Sequence, residues 1–498
     1  MADGRQQSRF SQLTFPVARR VPAQPLERDG LLAHLVPAPP HLAGSPVAEQ
    51  LLQPVVTQVS GHPVRVGGSD AGPLALSTGS KVGPVALPAH ADVVVVGAGL
   101  AGLVAARTLL RAGIETVVLE SAGIVGGRVA TDVVDGFRLD RGFQVLNTDY
   151  PRVRRELDVG ALQVQAFTPG ALVHLDGALH RLADPRRLPL AALDTLSAPI
   201  GSVADKLRLA AMVGANAVLP VSRLLARPET SAYLAAKASG LSDQIIDRFV
   251  RPFLSGVLLE DGLETSSRFV DMVWRSFARG TVGVPAYGMT AIPRQLAADL
   301  PDGALHLDTA VLSVRPGGVD TGSGSMSCGA VVVAADPVTA TTLLPMLGEP
   351  PLMRAVTTYY HATPSPPVRE AILVLDGERS GPVVNSIVLT NAAPSYSGDG
   401  RALVSSSVLG VDPPDEAAVR RHLTVLYGQS IEDWELIDAV HVRQALPAAV
   451  PPLGNLREPV SLGDGLYAAG DHRDTPSIQG AMASGARVAR AVLHQLRH

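Results

Sequence analysis

Three glycines stand directly behind a run of valines, and their spacing is suited to holding phosphate groups. Gly97, Gly99 and Gly102 form a G-x-G-x-x-G pattern after Val93–Val96. The first glycine permits a tight turn, the second lets the backbone approach a pyrophosphate, and the third lets a helix pack close to the strand. The helix expected over Leu100–Ala112 adds free N–H groups and partial positive charge at its start. The pattern predicts a dinucleotide site.

An acidic residue follows the next apolar run. Glu120 comes directly after Thr116–Leu119, 18 residues beyond Gly102. A carboxylate there accepts hydrogen bonds from both ribose hydroxyls and disfavours a 2′-phosphate. The alternative is a βαβ unit without a ligand, but the strand, the helix and the carboxylate together favour the dinucleotide.

A second glycine turn follows Glu120 closely. Gly126, Gly127 and Arg128 offer another backbone approach to the phosphates and a fixed positive charge. Arg128 taken alone is equally a surface charge. In this setting we expect it to contact the cofactor.

The elements that position these residues indicate an α/β protein. Val93–Val96 is continuously β-branched, which is typical of a strand buried on both faces of a parallel sheet. Further strands are predicted at Ala304–Leu307, Val311–Val314, Ala330–Ala334, Ala371–Leu375, Ser386–Leu389, Leu403–Leu409 and Leu466–Ala469. Further helices are predicted at Val203–Leu225, Ser242–Phe253, Ile292–Asp299, Glu416–Tyr427 and Gln479–Gln495.

Composition narrows the class of protein. The chain has 498 residues, 46% hydrophobic and 18% charged, with a net charge of −4. Such a charge gives no electrostatic support to a nucleic-acid partner. The single cysteine, Cys328, excludes an internal disulfide and a cysteine-rich metal site, and no metal site is predicted. No secretory signal is evident, so we expect a cytoplasmic location, with peripheral contact to a membrane left open.

Three further stretches carry a resemblance to a known family. Together with the two glycine turns and Glu120, they resemble the flavin amine oxidases, protoporphyrinogen oxidases and phytoene-desaturase-type enzymes. The stretches are Asp135–Val145 (DGFRLDRGFQV), Pro285–Leu296 (PAYGMTAIPRQL) and Leu466–Val488 (LYAAGDHRDTPSIQGAMASGARV). The resemblance covers roughly residues 91–498 in the same order.

The resemblance implies a Rossmann-like FAD-binding domain with an inserted α+β substrate domain and noncovalently bound FAD. The expected segments are an irregular N-terminal extension (1–90), FAD-binding parts (91–150, 284–345 and 456–498), a mostly helical substrate or cap segment (151–283) and a substrate-domain sheet (346–455). The expected cofactor-binding residues are Gly97, Ala98, Gly99, Leu100, Ala101, Gly102, Glu120, Ser121, Gly126, Gly127, Arg128, Gly142, Phe143, Gln144, Val311, Gly470, Asp471, Ile478, Gln479 and Ala481.

The chain also departs from the amine oxidases that it resembles. Those enzymes commonly place a lysine near flavin N5 and two aromatic residues before the ring. All three lysines here precede residue 240, and Ser477 stands where an aromatic residue is expected. These differences favour dehydrogenation of a small hydrophobic substrate, as in the desaturase branch. Amine oxidation with dioxygen and a noncatalytic, flavin-binding assembly partner are the alternatives.

Several assignments remain open at this stage. The apolar stretch Val203–Leu225 either lines a tunnel for a lipid-like substrate, touches a membrane surface, or forms an ordinary core. Trp274 and Tyr359-Tyr360 either line the pocket or pack in the core. His472, Arg473 and Asp474 point either to the flavin or to solvent. No residue is assigned as a catalytic acid or base, and the oligomeric state is not assigned.

Overall fold

The computed structural model describes residues 87–497. The irregular extension predicted for residues 1–90 therefore lies, up to residue 86, outside the described residues. The first strand starts at His90, one residue before the predicted start of the ordered chain. No helix among residues 87–497 is long and apolar enough to cross a bilayer.

The strands and helices are numbered along the chain. The strands are β1 (His90–Val96), β2 (Thr116–Leu119), β3 (Thr131–Val134), β4 (Phe137–Asp140), β5 (Leu146–Asn147), β6 (Val164–Ala166), β7 (Gly170–Leu175), β8 (Ala178–Ala183), β9 (Val282–Pro285), β10 (Leu305–His306), β11 (Val311–Arg315), β12 (Gly318–Thr321), β13 (Gly324–Val333), β14 (Met353–Thr363), β15 (Leu373–Asp376), β16 (Val383–Val388), β17 (Ala402–Leu409), β18 (Glu435–Pro447), β19 (Ser461–Gly463) and β20 (Leu466–Ala468). The helices are α1 (Leu100–Arg111), α2 (Val153–Glu156), α3 (Ala192–Ser197), α4 (Val203–Val218), α5 (Val221–Leu225), α6 (Ala232–Ala238), α7 (Asp243–Ile245), α8 (Arg251–Leu258), α9 (Ser267–Arg279), α10 (Ala291–Ala297), α11 (Pro337–Leu343), α12 (Glu416–Tyr427) and α13 (Ile478–Leu496).

The first sheet carries the glycine pattern at the end of a central strand. β1 lies between β2 and β13 and pairs with both in parallel, so that Val93 is opposite Thr116 and Ala330. The strand order is β10-β2-β1-β13-β12-β11, and β20 pairs in parallel with β13. Helices α1 and α13 pack against each other in the core cluster on one face, and α11 contributes to the cluster on the other. The valine run is therefore buried on both faces, as the sequence indicates.

The second sheet has seven strands in the order β18-β14-β17-β16-β15-β7-β8. The prediction of an antiparallel sheet within residues 346–455 is incomplete in two respects. β7 and β8 come from the segment expected to be mostly helical, and β15 pairs with β7 in parallel. Five of the six residues of β7 are buried, so its sequence lacks the alternation that marks a half-exposed strand.

Two predicted helices are interrupted for local reasons. The stretch Val203–Leu225 forms α4 and α5 because Pro220 forces Leu219 into an extended conformation, which ends α4. The stretch Ser242–Phe253 contains a π-helical turn at Ile246–Val250, just before Pro252, which has no N–H for the helical ladder. The helix predicted at Glu416–Tyr427 is confirmed with the same bounds.

Candidate active site

The first glycine turn leaves open space at one position. A Cβ added to Gly102 would lie 1.9 Å from the carbonyl oxygen of Gly97, and a Cβ on Gly97 would lie 2.9 Å from that of Ala334. A Cβ on Gly99, at the N-terminus of α1, would meet no atom within 4 Å. The turn is therefore tightly packed at Gly97 and Gly102. It is open at Gly99, at the helix N-terminus, where a phosphate is expected to bind.

The carboxylate of Glu120 is buried and held in place beside this turn. Its Oε2 accepts a hydrogen bond from the N–H of Ala98 at 2.7 Å, and its Oε1 accepts from the N–H of Ala122 at 2.9 Å. The hydroxyl of Ser121 donates to the same Oε1 at 3.3 Å. The side chain is thus fixed at the carboxyl end of β2, where the resemblance places the ribose.

The backbone of Glu120 also brings a distant segment to this edge. Its carbonyl oxygen accepts a hydrogen bond from the N–H of Thr309 at 2.7 Å. Val311, which the resemblance assigns to the adenine, begins β11 two residues further on.

The second glycine turn lies directly against the first. The N–H of Gly126 donates to the carbonyl of Ala98 at 2.9 Å, and Gly99 and Gly126 form an isolated parallel bridge. A Cβ on Gly127 would lie 3.8 Å from the Cα of Gly99. The two turns together form one cradle, although Gly127 lies 28 residues beyond Gly99 in the sequence.

Arg128 and Asp471 meet beside this cradle. Nη1 of Arg128 lies 2.9 Å from Oδ2 of Asp471, and Nη2 lies 2.5 Å from Oδ1. Burial disfavours the charge of Arg128, but the adjacent carboxylate outweighs this effect, and the pKa of the guanidinium is raised. Asp471 follows β20, and the preceding Gly470 donates its N–H to the hydroxyl of Ser484 at 3.0 Å. The two ends of the described chain thus meet at one place.

The resemblance implies that Asp135–Val145 passes near the flavin ring and that Ile478–Ala481, at the start of α13, faces the ring. Ile478 is the first residue of α13, and the N–H of Ala481 bonds to the carbonyl of Ser477 at 2.9 Å. The Gln479 side chain is directed elsewhere, since its Oε1 accepts from the N–H of Arg152 at 2.9 Å. The Gln144 side chain donates to the carbonyl of Arg128 at 2.7 Å.

Asp140 is a positioning residue that the sequence analysis did not single out, although it lies within Asp135–Val145. Its buried carboxylate accepts hydrogen bonds from Thr131 Oγ1 at 2.5 Å, from the N–H of Met289 at 2.9 Å and from the hydroxyl of Tyr396 at 2.8 Å. Burial raises its pKa to about 6. Asp140 therefore joins three segments, and two of its partners, Met289 and Tyr396, are too distant in sequence for a local pattern to reveal them.

A cavity of about 950 Å³ begins at residues assigned to the flavin ring. Phe143, Gln144 and Ile478 form part of its wall. The remaining wall includes aromatic residues from several elements, namely Phe167, Phe249, Phe253, Phe269, Trp274 and Phe277. Within this group the rings of Phe253 and Trp274 stack with centroids 5.1 Å apart. The cavity is suited to an apolar molecule that reaches the ring site.

Polar atoms without partners lie on the sheet face beside this cavity. Asn385 lines the cavity, and it is opposite Ser407, which is itself opposite Thr358. Asn385 Oδ1 and the hydroxyls of Ser407, Thr358 and Ser405 are buried and have no hydrogen-bond partner among the described residues. Because unpaired buried polar groups are costly, this row indicates a place for bound water or a polar group of a ligand. Sequence reasoning did not find it, since the residues lie on three separate strands.

The open assignments from the sequence are resolved in part. Trp274 lines the cavity. The hydroxyl of Tyr359 bonds to the carbonyl of Pro414 at 3.1 Å, and that of Tyr360 bonds to the carbonyl of Asp140 at 2.7 Å, so both hydroxyls have structural partners. The ring nitrogens of His472 are buried without partners among the described residues, and burial lowers its pKa to about 4.

Both described lysines have protein partners, and Lys206 also lies in the wall of the cavity. Lys206 Nζ donates to the carbonyls of Leu196 and Ala198 at 2.7 and 2.5 Å. Lys237 Nζ lies 2.9 Å from Oδ1 of Asp243. Ser477 caps α13 by accepting from the N–H of Gly480 at 3.0 Å, and it also lines the cavity.

Comparison with known proteins defines the class to which this fold and site belong. Residues 100–493 match the family described as flavin containing amine oxidoreductase, and the chain belongs to that family. It is therefore a flavin-dependent oxidoreductase enzyme of amine-oxidase-like fold. The family description indicates a flavin cofactor, and the cradle described above has the open space and the fixed carboxylate that such a cofactor requires.

Individual relatives differ in their activities. Putrescine oxidase from Kocuria rosea is 45% identical over 92 residues, which are 18% of this chain and 19% of that protein. Hydroxysqualene dehydroxylase from Rhodopseudomonas palustris is 28% identical over 447 residues, which are 80% of this chain and 97% of that protein. The structure of a putative protoporphyrinogen oxidase from Exiguobacterium has a TM-score of 0.62 at 20% identity and covers 83% of this chain and 100% of that chain. The match to putrescine oxidase thus spans about a fifth of that relative.

Proposed function

We propose that this enzyme uses noncovalently bound FAD to dehydrogenate a small hydrophobic molecule. The observation that carries the proposal is the cavity, whose largely apolar wall ends at Phe143, Gln144 and Ile478. An apolar substrate in this cavity has one end beside the ring site and the remainder in contact with aromatic side chains. The alignment with hydroxysqualene dehydroxylase over most of both chains supports a substrate of this class.

The proposed cofactor site consists of the residues predicted from the sequence. Gly97–Gly102 and Gly126–Arg128 hold the pyrophosphate, Glu120 holds the adenosine ribose, and Val311 contacts the adenine. Gly142, Phe143, Gln144, Ile478 and Ala481 surround the ring. The only cysteine of the sequence, Cys328, is buried within β13, which supports noncovalent attachment. The proposed domain division follows the six segments given above.

A bound FAD would supply the chemistry by accepting a hydride equivalent from a substrate carbon. The chain's own contribution is to orient the substrate and to exclude water. The stacked rings of Phe253 and Trp274 give the substrate a rigid apolar wall. Asn385 lines the cavity with an unpaired Oδ1 and gives a polar group of the substrate a defined position. Dioxygen and a quinone are the candidate electron acceptors.

Amine oxidation is the second candidate function. The similarity to putrescine oxidase favours it. The described lysines, Lys206 and Lys237, already have protein partners, which argues against either of them acting as a lysine beside the ring. We therefore rank it below oxidation of an apolar substrate.

Anaerobic titration of the purified, flavin-loaded enzyme separates the two candidates. A panel of polyenes and a panel of mono- and diamines are added, and the visible absorbance of the oxidised flavin is followed. Bleaching by polyenes but not by amines is expected. Bleaching by amines alone, with peroxide released when air is admitted, would replace the first candidate by the second.

A further inference from the structure

We propose that the exposed surface around α3 and the start of α4 docks on an anionic lipid membrane. This surface, the apolar platform, consists of Leu190, Leu193, Leu196, Val203 and Leu207. Their exposed fractions are 98, 79, 40, 52 and 61%. Aliphatic side chains grouped at such exposure mark an interaction site more often than an ordinary surface.

Hydrogen bonds hold the two helices of the platform together. The ammonium group of Lys206 bonds to the carbonyls of Leu196 and Ala198, at the end of α3. Ser202 caps α4 and forms a reciprocal pair with Asp205. Because the backbone at this junction is fixed, the platform is a preformed surface.

The platform also borders the cavity. Leu196 and Leu207 are exposed and at the same time line the cavity, as do Pro185 and Arg186. Side chains that face both solvent and cavity mark an opening. An apolar substrate dissolved in a bilayer therefore has a direct route into the cavity when the platform lies on the membrane.

The charge of the surrounding segment favours an anionic lipid surface over a second copy of this chain. Among residues 184–227 the exposed charged side chains are three basic ones (Arg186, Arg208 and Arg223) and one acidic one (Asp194). This gives +3 − 1 = +2 at the exposed positions, whereas the whole chain carries −4. Basic residues beside an apolar surface are typical of proteins that bind anionic lipid. Two copies facing each other would bring like charges together.

Vesicle sedimentation of the full-length, flavin-loaded protein tests this proposal. The probes are vesicles of phosphatidylglycerol with phosphatidylcholine and vesicles of phosphatidylcholine alone. We expect binding to the anionic vesicles to be about tenfold stronger or more. The route of the substrate rests on the proposed function, whereas docking itself is measured without turnover, so the two proposals can fail separately.

Matched variants locate the contact. Leu190→Gln with Leu193→Gln is expected to weaken binding by about tenfold or more, because two exposed apolar side chains are lost. The control is Leu312→Gln with Leu352→Gln, at positions with exposed fractions of 66 and 65%, which is expected to bind as the wild type does. Arg208→Gln keeps the apolar residues and is expected to weaken binding to anionic vesicles about fivefold. Flavin content and circular dichroism report the folding of each variant.

Three results would overturn the proposal. The first is a wild-type protein that sediments with neither kind of vesicle. The second is equal binding by the platform variant and the control variant. The third is a wild-type dimer that becomes monomeric only in the platform variant, which would assign the surface to a second copy.

Discussion

Arg128 and Asp471 are 343 residues apart in sequence and form a two-point ion pair beside the two glycine turns. The exposed fractions of their side chains are 30 and 6%. The pair connects the second glycine turn with the turn that follows β20. The proposed cofactor site is therefore closed by residues from opposite ends of the described chain.

Arg128→Gln is expected to lower the affinity for FAD by about ten- to a hundredfold. The change removes a positive charge from the proposed phosphate site and leaves Asp471 buried without its ionic partner. Equilibrium dialysis against FAD measures the effect. Arg141→Gln is the matched control, because Arg141 pairs with Asp132 where both side chains are more than 40% exposed. Equal losses in the two variants would show that Arg128 has no special role.

Gly214→Phe is expected to weaken the binding of long apolar molecules by about tenfold or more while flavin content is unchanged. Gly214 lines the cavity, and a Cβ there would meet no atom within 4 Å, so the new ring has room to enter the space that the substrate needs. Fluorescence titration with a long-chain apolar probe measures the effect.

Ala215→Phe provides the control for this prediction. Ala215 is the next residue of α4 and is exposed. Its variant is expected to bind the probe as the wild type does. If Gly214→Phe also bound the probe normally, the cavity would not be the binding site.

His361→Phe is expected to make stability less dependent on pH. Burial lowers the pKa of His361 to about 4, so the folded state favours the neutral ring. The contribution of His361 to the free energy of unfolding is complete above about pH 6.5 and is lost as the pH falls toward 4, with a total of about 3 kcal/mol. Urea unfolding at a series of pH values measures the loss, which is expected to be smaller in the variant. The control, His90→Gln, lies at an exposed position and is expected to show the pH dependence of the wild type. If the free energy of unfolding of His361→Phe depended on pH as that of the wild type does, the role of His361 would be contradicted.

The cradle was predictable because its determinants are local. The spacing of Gly97, Gly99 and Gly102 directly predicts the geometry of the turn, and Glu120 is the residue that follows β2. The pairing of Arg128 with Asp471 and the junction at Asp140 depend on contacts between distant segments. Contacts between distant segments cannot be predicted from the periodicity or spacing of residues within one segment.

The substrate side of the molecule was less predictable for related reasons. The break at Pro220 was visible in the sequence, yet the helical period on both sides of it suggested one helix. The strands β7 and β8 were missed because buried, nonalternating strands resemble short buried helices. The cavity and the unpaired row with Asn385 arise from side chains of several elements and have no local signal.

The most direct test of the central claim is the flavin content of Gly99→Val. In this structure a Cβ on Gly99 meets no protein atom within 4 Å, and Gly99 has a φ of −70°, which any residue adopts. The variant is therefore expected to fold with wild-type stability and to retain little FAD, because the new side chain occupies the space proposed for the pyrophosphate. A folded variant that binds FAD as tightly as the wild type would contradict the proposed site.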